Sequence, residues 1–241
     1  MRVPTTNHTE LWLADLDASG DALLACERAT ARLSPDDAAR SAAVRDPLDR
    51  HYRHAAAIAL RVILERHFGP SMRCVSFARD RYGRPLLPPP HTGAFSLSHC
   101  GRVALVGVSD AGAIGVDIEA PRTIRMDPRR RLIVETAAQV LTREPLPVQR
   151  DARFLQAWVI LEALAKADGR GIGHLLTRLG AVGSPHGELD AAATMARARG
   201  LSLNVLDVGQ GLYAAAASTA VDAPLLNVPD TAASLNAMLV F

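Results

Sequence analysis

The stretch Ala113-Ile114-Gly115-Val116-Asp117-Ile118-Glu119 places the tightest constraint on this chain. In a strand, alternate side chains share a face. Ile114, Val116 and Ile118 supply one face that can feed a core, and Gly115, Asp117 and Glu119 supply the other. Two carboxylates two residues apart then project together from an otherwise apolar strand. Like charges this close repel unless a cation neutralises them. Oxygen ligands on a fixed scaffold suit Mg²⁺, which keeps several waters and also binds substrate phosphates. The plainer alternative is a strand end with two solvated acids.

A second segment adds to that reading. Asp151 to Asp168 is expected to form a helix closed by Gly169. Phe154, Trp158, Leu161 and Ala165 fall at i, i+4, i+7 and i+11 and make one apolar stripe. Glu162 and Lys166 stand four apart on a neighbouring face. As a surface ion pair they contribute about a few tenths of a kcal/mol. In the functional reading, Glu162 is a third carboxylate for the metal and Lys166 a cation for a phosphate.

In Ser96-Leu97-Ser98-His99-Cys100-Gly101, Ser98 and His99 stand where a strand ends and a turn begins. A hydroxyl and an imidazole there can donate to a phosphate; a capping serine and a half-exposed histidine are the bland reading. A Ser-His triad lacks its nucleophile elbow, because no G-x-S-x-G occurs. Arg84 is fixed in the turn Tyr82-Gly83-Arg84-Pro85, from which a guanidinium can fork onto a phosphate. Gly169-Arg170-Gly171 lets backbone approach a ligand, or simply stops a helix. The phosphate loop G-x-x-x-x-G-K-[ST] and the dinucleotide fingerprint G-x-G-x-x-G are both missing.

The remaining punctuation predicts an α+β chain. Leu11 to Leu16 reads as a short edge strand. Leu33-Ser34-Pro35-Asp36-Asp37 opens a helix, with serine as cap and proline at the first position. A longer helix runs from about Asp49 to His67 and stops at Gly69-Pro70. Cys74 to Ala78 and Ala94 to Ser98 read as strands, with a proline-rich loop from Leu86 to Gly93. Val103–Ser109 and Ala113–Glu119 predict a hairpin across residues 110–112. Residues 127–142 look helical. Leu201–Asp207 and Leu212–Ser218 predict a second hairpin across Gly209-Gln210-Gly211, and the tail from Pro224 is weakly patterned. The expected division is 1–121 and 122–241, two halves of similar layout with a cleft between them.

The length of 241 residues fits one large domain or two small ones. The net charge of +2 argues against a nucleic-acid partner. Four arginines between Arg125 and Arg131 suit docking of an acidic protein better. Cys26, Cys74 and Cys100 are scattered, with no C-x-x-C pair, so neither a zinc knuckle nor a disulfide framework is indicated. The N-terminus has no apolar run and no window reaches membrane-span length, so a cytosolic chain without membrane contact is expected.

Taken in order, these pieces resemble the larger, Sfp-type phosphopantetheinyl transferases from about Leu11 to Ile172. The set is Leu-Trp-Leu-Ala-Asp-Leu, Leu-Ser-Pro-Asp-Asp, Tyr-Gly-Arg-Pro, Phe-Ser-Leu-Ser-His, Gly-Val-Asp-Ile-Glu and Trp-x-x-x-Glu-Ala-x-x-Lys, then Gly-Arg-Gly-Ile. The resemblance implies a pseudo-twofold α+β tandem with coenzyme A and Mg²⁺ in the central cleft, in a chain that needs no partner subunit to form it. It implies Asp117, Glu119 and Glu162 as metal ligands. Arg84, Ser98 and His99 match positions that hold the 3′-phosphate end of coenzyme A, Lys166 the lysine on its pyrophosphate, and Arg53 an arginine near the adenosine phosphates. Glu162, Asp117 and Lys166 would carry catalysis. The implied reaction moves phosphopantetheine onto a serine of an acidic acyl or peptidyl carrier, in polyketide, nonribosomal-peptide or fatty-acid synthesis, and releases 3′,5′-ADP. Two departures stand out. Leu161 replaces the lysine of the family's Trp-x-x-Lys-Glu, and Arg131 to Leu141 lacks its Phe-Phe and proline-acid pattern. The alternative is a weakened member that binds coenzyme A or carrier without efficient turnover.

Overall fold

Two sheets packed face to face organise the chain, whose computed structural model describes residues 8–110, 112–183, 186–209, 211–220 and 223–239. The first sheet holds β1 (Thr9–Asp15), β2 (Ala94–Cys100), β3 (Val103–Ser109) and β7 (Leu225–Asn227), in the order β2-β3-β1-β7. The second holds β4 (Ile114–Glu119), β5 (Ser202–Leu206) and β6 (Tyr213–Ser218), in the order β4-β6-β5. Between them lies an apolar layer. Leu11 and Leu105 enter it from one side, and Ile114, Val116, Ile118 and Ala216 from the other. The core-facing half of the Ile114–Glu119 alternation is therefore as the period of two predicts.

Helices cover both outer faces. α1 (Leu16–Ala29), α2 (Pro35–Ala42), α3 (Pro47–Phe68) and α8 (Ala232–Met238) gather with the first sheet. α4 (Pro128–Thr142), α5 (Arg150–Asp168), α6 (Ile172–Arg178) and α7 (Ala191–Arg199) gather with the second. Capping chemistry fixes their starts. Ser34 and Asp37 form a reciprocal capping box on α2. Asp46 accepts from the backbone of Leu48 and Asp49, with Pro47 in the first turn of α3. α5 packs against β4 and β6 on one side and α4 and α7 on the other. It is accordingly apolar around most of its circumference rather than along one stripe. None of the described helices is long and apolar enough to cross a membrane.

Several expectations change. The first strand is not an edge, because β1 lies between β3 and β7. Cys74 to Ala78 forms no strand; the only pairing nearby is an isolated bridge between Arg79 and Pro85. β3 and β4 are not a hairpin. β3 pairs with β2 across Gly101 and Arg102, and β4 leaves to pair with β6. Both runs are fully apolar on their inner faces, so the sequence cannot reveal that the chain changes sheets between them. The weakly patterned tail forms two elements. β7 runs parallel to β1, and α8 packs on α1. The β5–β6 hairpin forms as expected; Gln210 of its turn lies outside the described residues. The sheets do not divide at residue 121, since β4 belongs with β6 and the tail with β1.

Candidate active site

The site is built where β4 meets α5. A Cβ on Gly115 would fall 2.2 Å from the Ala163 carbonyl oxygen and 2.4 Å from the Ala167 nitrogen. Only glycine lets the helix backbone come so near the strand. That approach brings Asp117, two residues on, against the polar stripe of α5. From Val159 to Asp168, only Glu162 and Lys166 are not buried.

Lys166 Nζ donates to Asp117 Oδ1 at 2.8 Å and to the Val116 carbonyl at 3.0 Å. Ser98 Oγ donates to the same Oδ1 at 2.7 Å. Glu119 accepts from Arg122 Nη2 at 3.0 Å. Two oxygens are left over: Asp117 Oδ2 and Glu162 Oε2 are buried and have no hydrogen-bond partner among the described residues. Burial pushes the Glu162 carboxyl above its ordinary value; Lys166 opposes this, and Asp117 and Glu119 add to it. Burial likewise raises Glu119, against Arg122 and with Asp117. Burial and the same two carboxylates push the Cys100 thiol up to about 11, so it stays protonated and is no nucleophile.

Buried, unpartnered carboxylate oxygens are costly. An all-oxygen set with surplus negative charge fits a hard dication such as Mg²⁺. Asp117, Glu119 and Glu162 are the residues that could hold it. They are not gathered as closely as His8, Glu10 and His67, whose ligand atoms lie within 4.8 Å of one another.

Beside the carboxylates opens a cleft of about 450 Å³. Arg53, Ala56 and Leu60 line it from one face of α3, and Arg84, His99 and Lys166 from other elements. Both expected halves thus contribute. Arg84 is held by its turn: Asp80 Oδ1 accepts from the backbone of Tyr82 at 2.8 Å and of Arg84 at 3.0 Å. Gly169 ends α5 at φ 86°, and a Cβ there would meet Arg84 Nη1 at 3.3 Å. Burial holds His99 below the ordinary imidazole value, helped by Arg53 and Lys166 and opposed by Asp49. It is a neutral donor in a cationic cleft. Lys166 alone belongs both to the cleft wall and to the carboxylate cluster.

The structure therefore brings together Arg53, Arg84, His99 and Lys166. It separates Ser98 from His99: alternation along β2 turns His99 to the cleft and Ser98 to Asp117. Leu161 is fully buried in the apolar core of the second half, not in the cleft. The basic run also divides. Arg125 and Arg130 are exposed, whereas Arg131 is buried, donating to the Arg150 carbonyl and to Asp151. Sequence reasoning missed Arg79, Tyr82 and Phe77 on the cleft wall. It also missed one available signal: of 27 basic residues, Lys166 is the only lysine.

No family model matches the chain. Individual relatives do. The chain is 29% identical over 147 residues to a putative 4′-phosphopantetheinyl transferase of Synechocystis, covering 59% of each protein. It is 28% identical over 124 residues to a 4′-phosphopantetheinyl transferase of Bacillus subtilis, covering 52% of this chain and 54% of that one. It is 29% identical over 175 residues to the 4′-phosphopantetheinyl transferase HetI of Nostoc, covering 70% of this chain and 72% of that one. The chain thus spans between about half and three fifths of the first two relatives. The chain is thus similar to 4′-phosphopantetheinyl transferases over between about half and 70% of its length.

Proposed function

We propose that this protein transfers the 4′-phosphopantetheine arm of coenzyme A to a serine of an apo carrier protein. The observation that carries the reading is Lys166, which joins a cationic cleft to a carboxylate cluster with two unpartnered oxygens. Arg53, Arg84 and the neutral His99 would bind the phosphate-bearing end of coenzyme A in the cleft. Lys166 would hold the pyrophosphate at the junction. Glu162, whose carboxyl burial holds above its ordinary value, would take the hydroxyl proton of the carrier serine. The serine oxygen then bonds to the β-phosphorus, the bond to the bridging oxygen breaks, and 3′,5′-ADP leaves. When bound by Asp117, Glu119 and Glu162, Mg²⁺ would offset charge on the pyrophosphate. The burial of Leu161 away from the cleft supports turnover over passive binding, because the replaced lysine leaves the carboxylates and Lys166 in place. An acidic carrier would dock on the face of Arg125 and Arg130.

Intact-protein mass spectrometry tests this. The protein, coenzyme A, Mg²⁺ and a panel of apo carriers are mixed, with Glu162→Ala as control. A carrier gaining one phosphopantetheine, and not doing so with the control or with chelator, is the expected result. Coenzyme A binding without any gain would sink the transfer reading and leave the non-catalytic one.

A further inference from the structure

A second constellation lies away from the cleft. β1 turns Glu10 and Trp12 to the α3 side, and His8 precedes them on the same alternation. His67 comes from the last turn of α3, 14 residues beyond Arg53 and so about 21 Å along the helix from it. The Glu10 carboxylate is buried. Its short bond is to a neutral group, the Trp12 indole N–H, at 3.0 Å from Oε2. His8 Nε2 stands 3.7 Å from Oε1, and His67 Nδ1 stands 3.7 Å from Oε2. Both separations are too long for hydrogen bonds. One ligand atom from each of the three residues lies within 4.8 Å of the others.

Two ligands about 2.0–2.1 Å from a tetrahedral ion stand about 3.4 Å apart, so each histidine needs to close on Glu10 by about 0.3 Å, and the widest separation in the trio, at most 4.8 Å, by no more than about 1.4 Å. Two imidazoles and a carboxylate are a poor set for Mg²⁺, which prefers oxygen, and a good one for Zn²⁺ and its neighbours. Three protein ligands leave a fourth position for water on the open, His8 side.

The supports are already placed. The His8 backbone is fixed by a reciprocal pair: its N–H donates to Asp110 Oδ1 at 2.8 Å, and the Asp110 N–H donates to the His8 carbonyl at 3.1 Å. The Trp12 indole orients the carboxylate from behind, as outer groups do at metal centres. The His67 ring lies edge-on to Phe68 at 4.7 Å.

We propose that His8, Glu10 and His67 bind one divalent transition-metal ion of the Zn²⁺ class. The ion would tie the start of β1 to the end of α3, and it is distinct from any Mg²⁺ held at Asp117, Glu119 and Glu162.

The test uses the untagged full-length protein, stripped with chelator and dialysed against Zn²⁺ alone, then against Zn²⁺ with excess Mg²⁺. With excess Mg²⁺ competing for the carboxylate cluster, one Zn²⁺ per chain is expected, and the variants are compared under that condition; with Zn²⁺ alone, occupancy of Asp117, Glu119 and Glu162 adds to that number. Binding should weaken at least tenfold in His8→Ala and in His67→Ala and stay unchanged in Glu162→Ala. Co²⁺ in the same protein should give visible absorption bands that both histidine variants lose. His8 is exposed, so His8→Ala decides the matter even if His67→Ala folds poorly. Failure of the parent protein to retain Zn²⁺ would overturn the site, and so would retention undiminished by His8→Ala.

Discussion

Two of the buried charge clusters in this protein are built from similar residue types and balanced in opposite ways. In the N-terminal half, two carboxylates meet four guanidiniums. Asp37 is bound by Arg40 and Arg61, and Glu65 by Arg32 and Arg73. All four carboxylate oxygens are occupied, Arg61 also donates to Ser34 Oγ, and Arg32 also reaches the Cys26 and Thr30 carbonyls. Around β4 and α5, three carboxylates share Lys166 and Arg122, and two buried oxygens have no partner among the described residues. A fully matched network holds a fold together. An under-matched one, kept in place by a close strand–helix packing, is the mark of a candidate functional site.

The largest expected effect separates the two clusters outright. Glu162→Gln should lower the transfer rate by on the order of 10³-fold, the usual range for loss of a positioned base. It should leave stability unchanged or raise it, because a buried carboxylate without a partner oxygen is neutralised. Steady-state transfer assays and urea unfolding on the same preparation would measure both. If Glu162→Gln instead unfolds the protein while surviving molecules keep full activity, the contrast is wrong.

Glu65→Ala is the mirror experiment. It strands Arg32 and Arg73, the first of them almost wholly buried. Removing one partner of a buried pair costs about 3–5 kcal/mol. Unfolding midpoints should fall accordingly, and activity per folded molecule should stay near the parent value.

Leu161→Lys tests whether the family lysine can simply be restored. Leu161 is fully buried beside Phe154 and Leu164. An ammonium there has no observed partner and should cost about 2–4 kcal/mol of stability, in the range for an uncompensated buried polar group. A gain in rate without that loss would mean that the lysine reaches the cleft, and that the leucine marks a weakened site.

How much of this was legible beforehand depended on whether the signal was local. The Ser34 cap with Pro35 behind it, the Gly169 stop and the two faces of Ile114–Glu119 are written within a few residues, and all are found as read. α1 was not legible, because Asp15 both ends β1 and caps the helix, with no glycine or proline between them. The switch of β4 to the second sheet was hidden for a different reason. It is set by Gly115 meeting the α5 backbone some fifty residues later. The burial of Arg61 and Arg131 was equally hidden, since an arginine in sequence does not disclose whether a distant carboxylate awaits it. Lys166 is the converse case, since a single lysine among twenty-six arginines is visible without any structure.

Lys166→Arg follows from that rarity. The ammonium fits between the Val116 carbonyl and Asp117 Oδ1 as a compact charge, and a planar guanidinium cannot take the same position. Charge is retained, so the fold should be unaffected. Transfer should fall about tenfold, mainly through a higher KM for coenzyme A, because the fork displaces the pyrophosphate-facing charge. An unchanged KM would show that charge alone is used here.

The smallest effect concerns acid. Burial raises the Asp37 carboxyl, but Arg61 and the two Ser34 hydrogen bonds outweigh it and hold the group below its ordinary value. A carboxylate with a depressed folded value stabilises above its unfolded value, about 3.9. That contribution disappears as pH falls through the folded value. The paired cluster should therefore begin to fail only below about pH 4. Asp37→Asn removes the titration. Such a variant should be less stable than the parent at pH 7, and the gap should narrow as the pH is lowered from 4 toward 2. Urea unfolding across that interval measures the gap directly. A gap of constant size would mean that Asp37 holds α2 and α3 together by hydrogen-bond geometry rather than by its charge, and the matched cluster would then be a matter of shape more than of electrostatics.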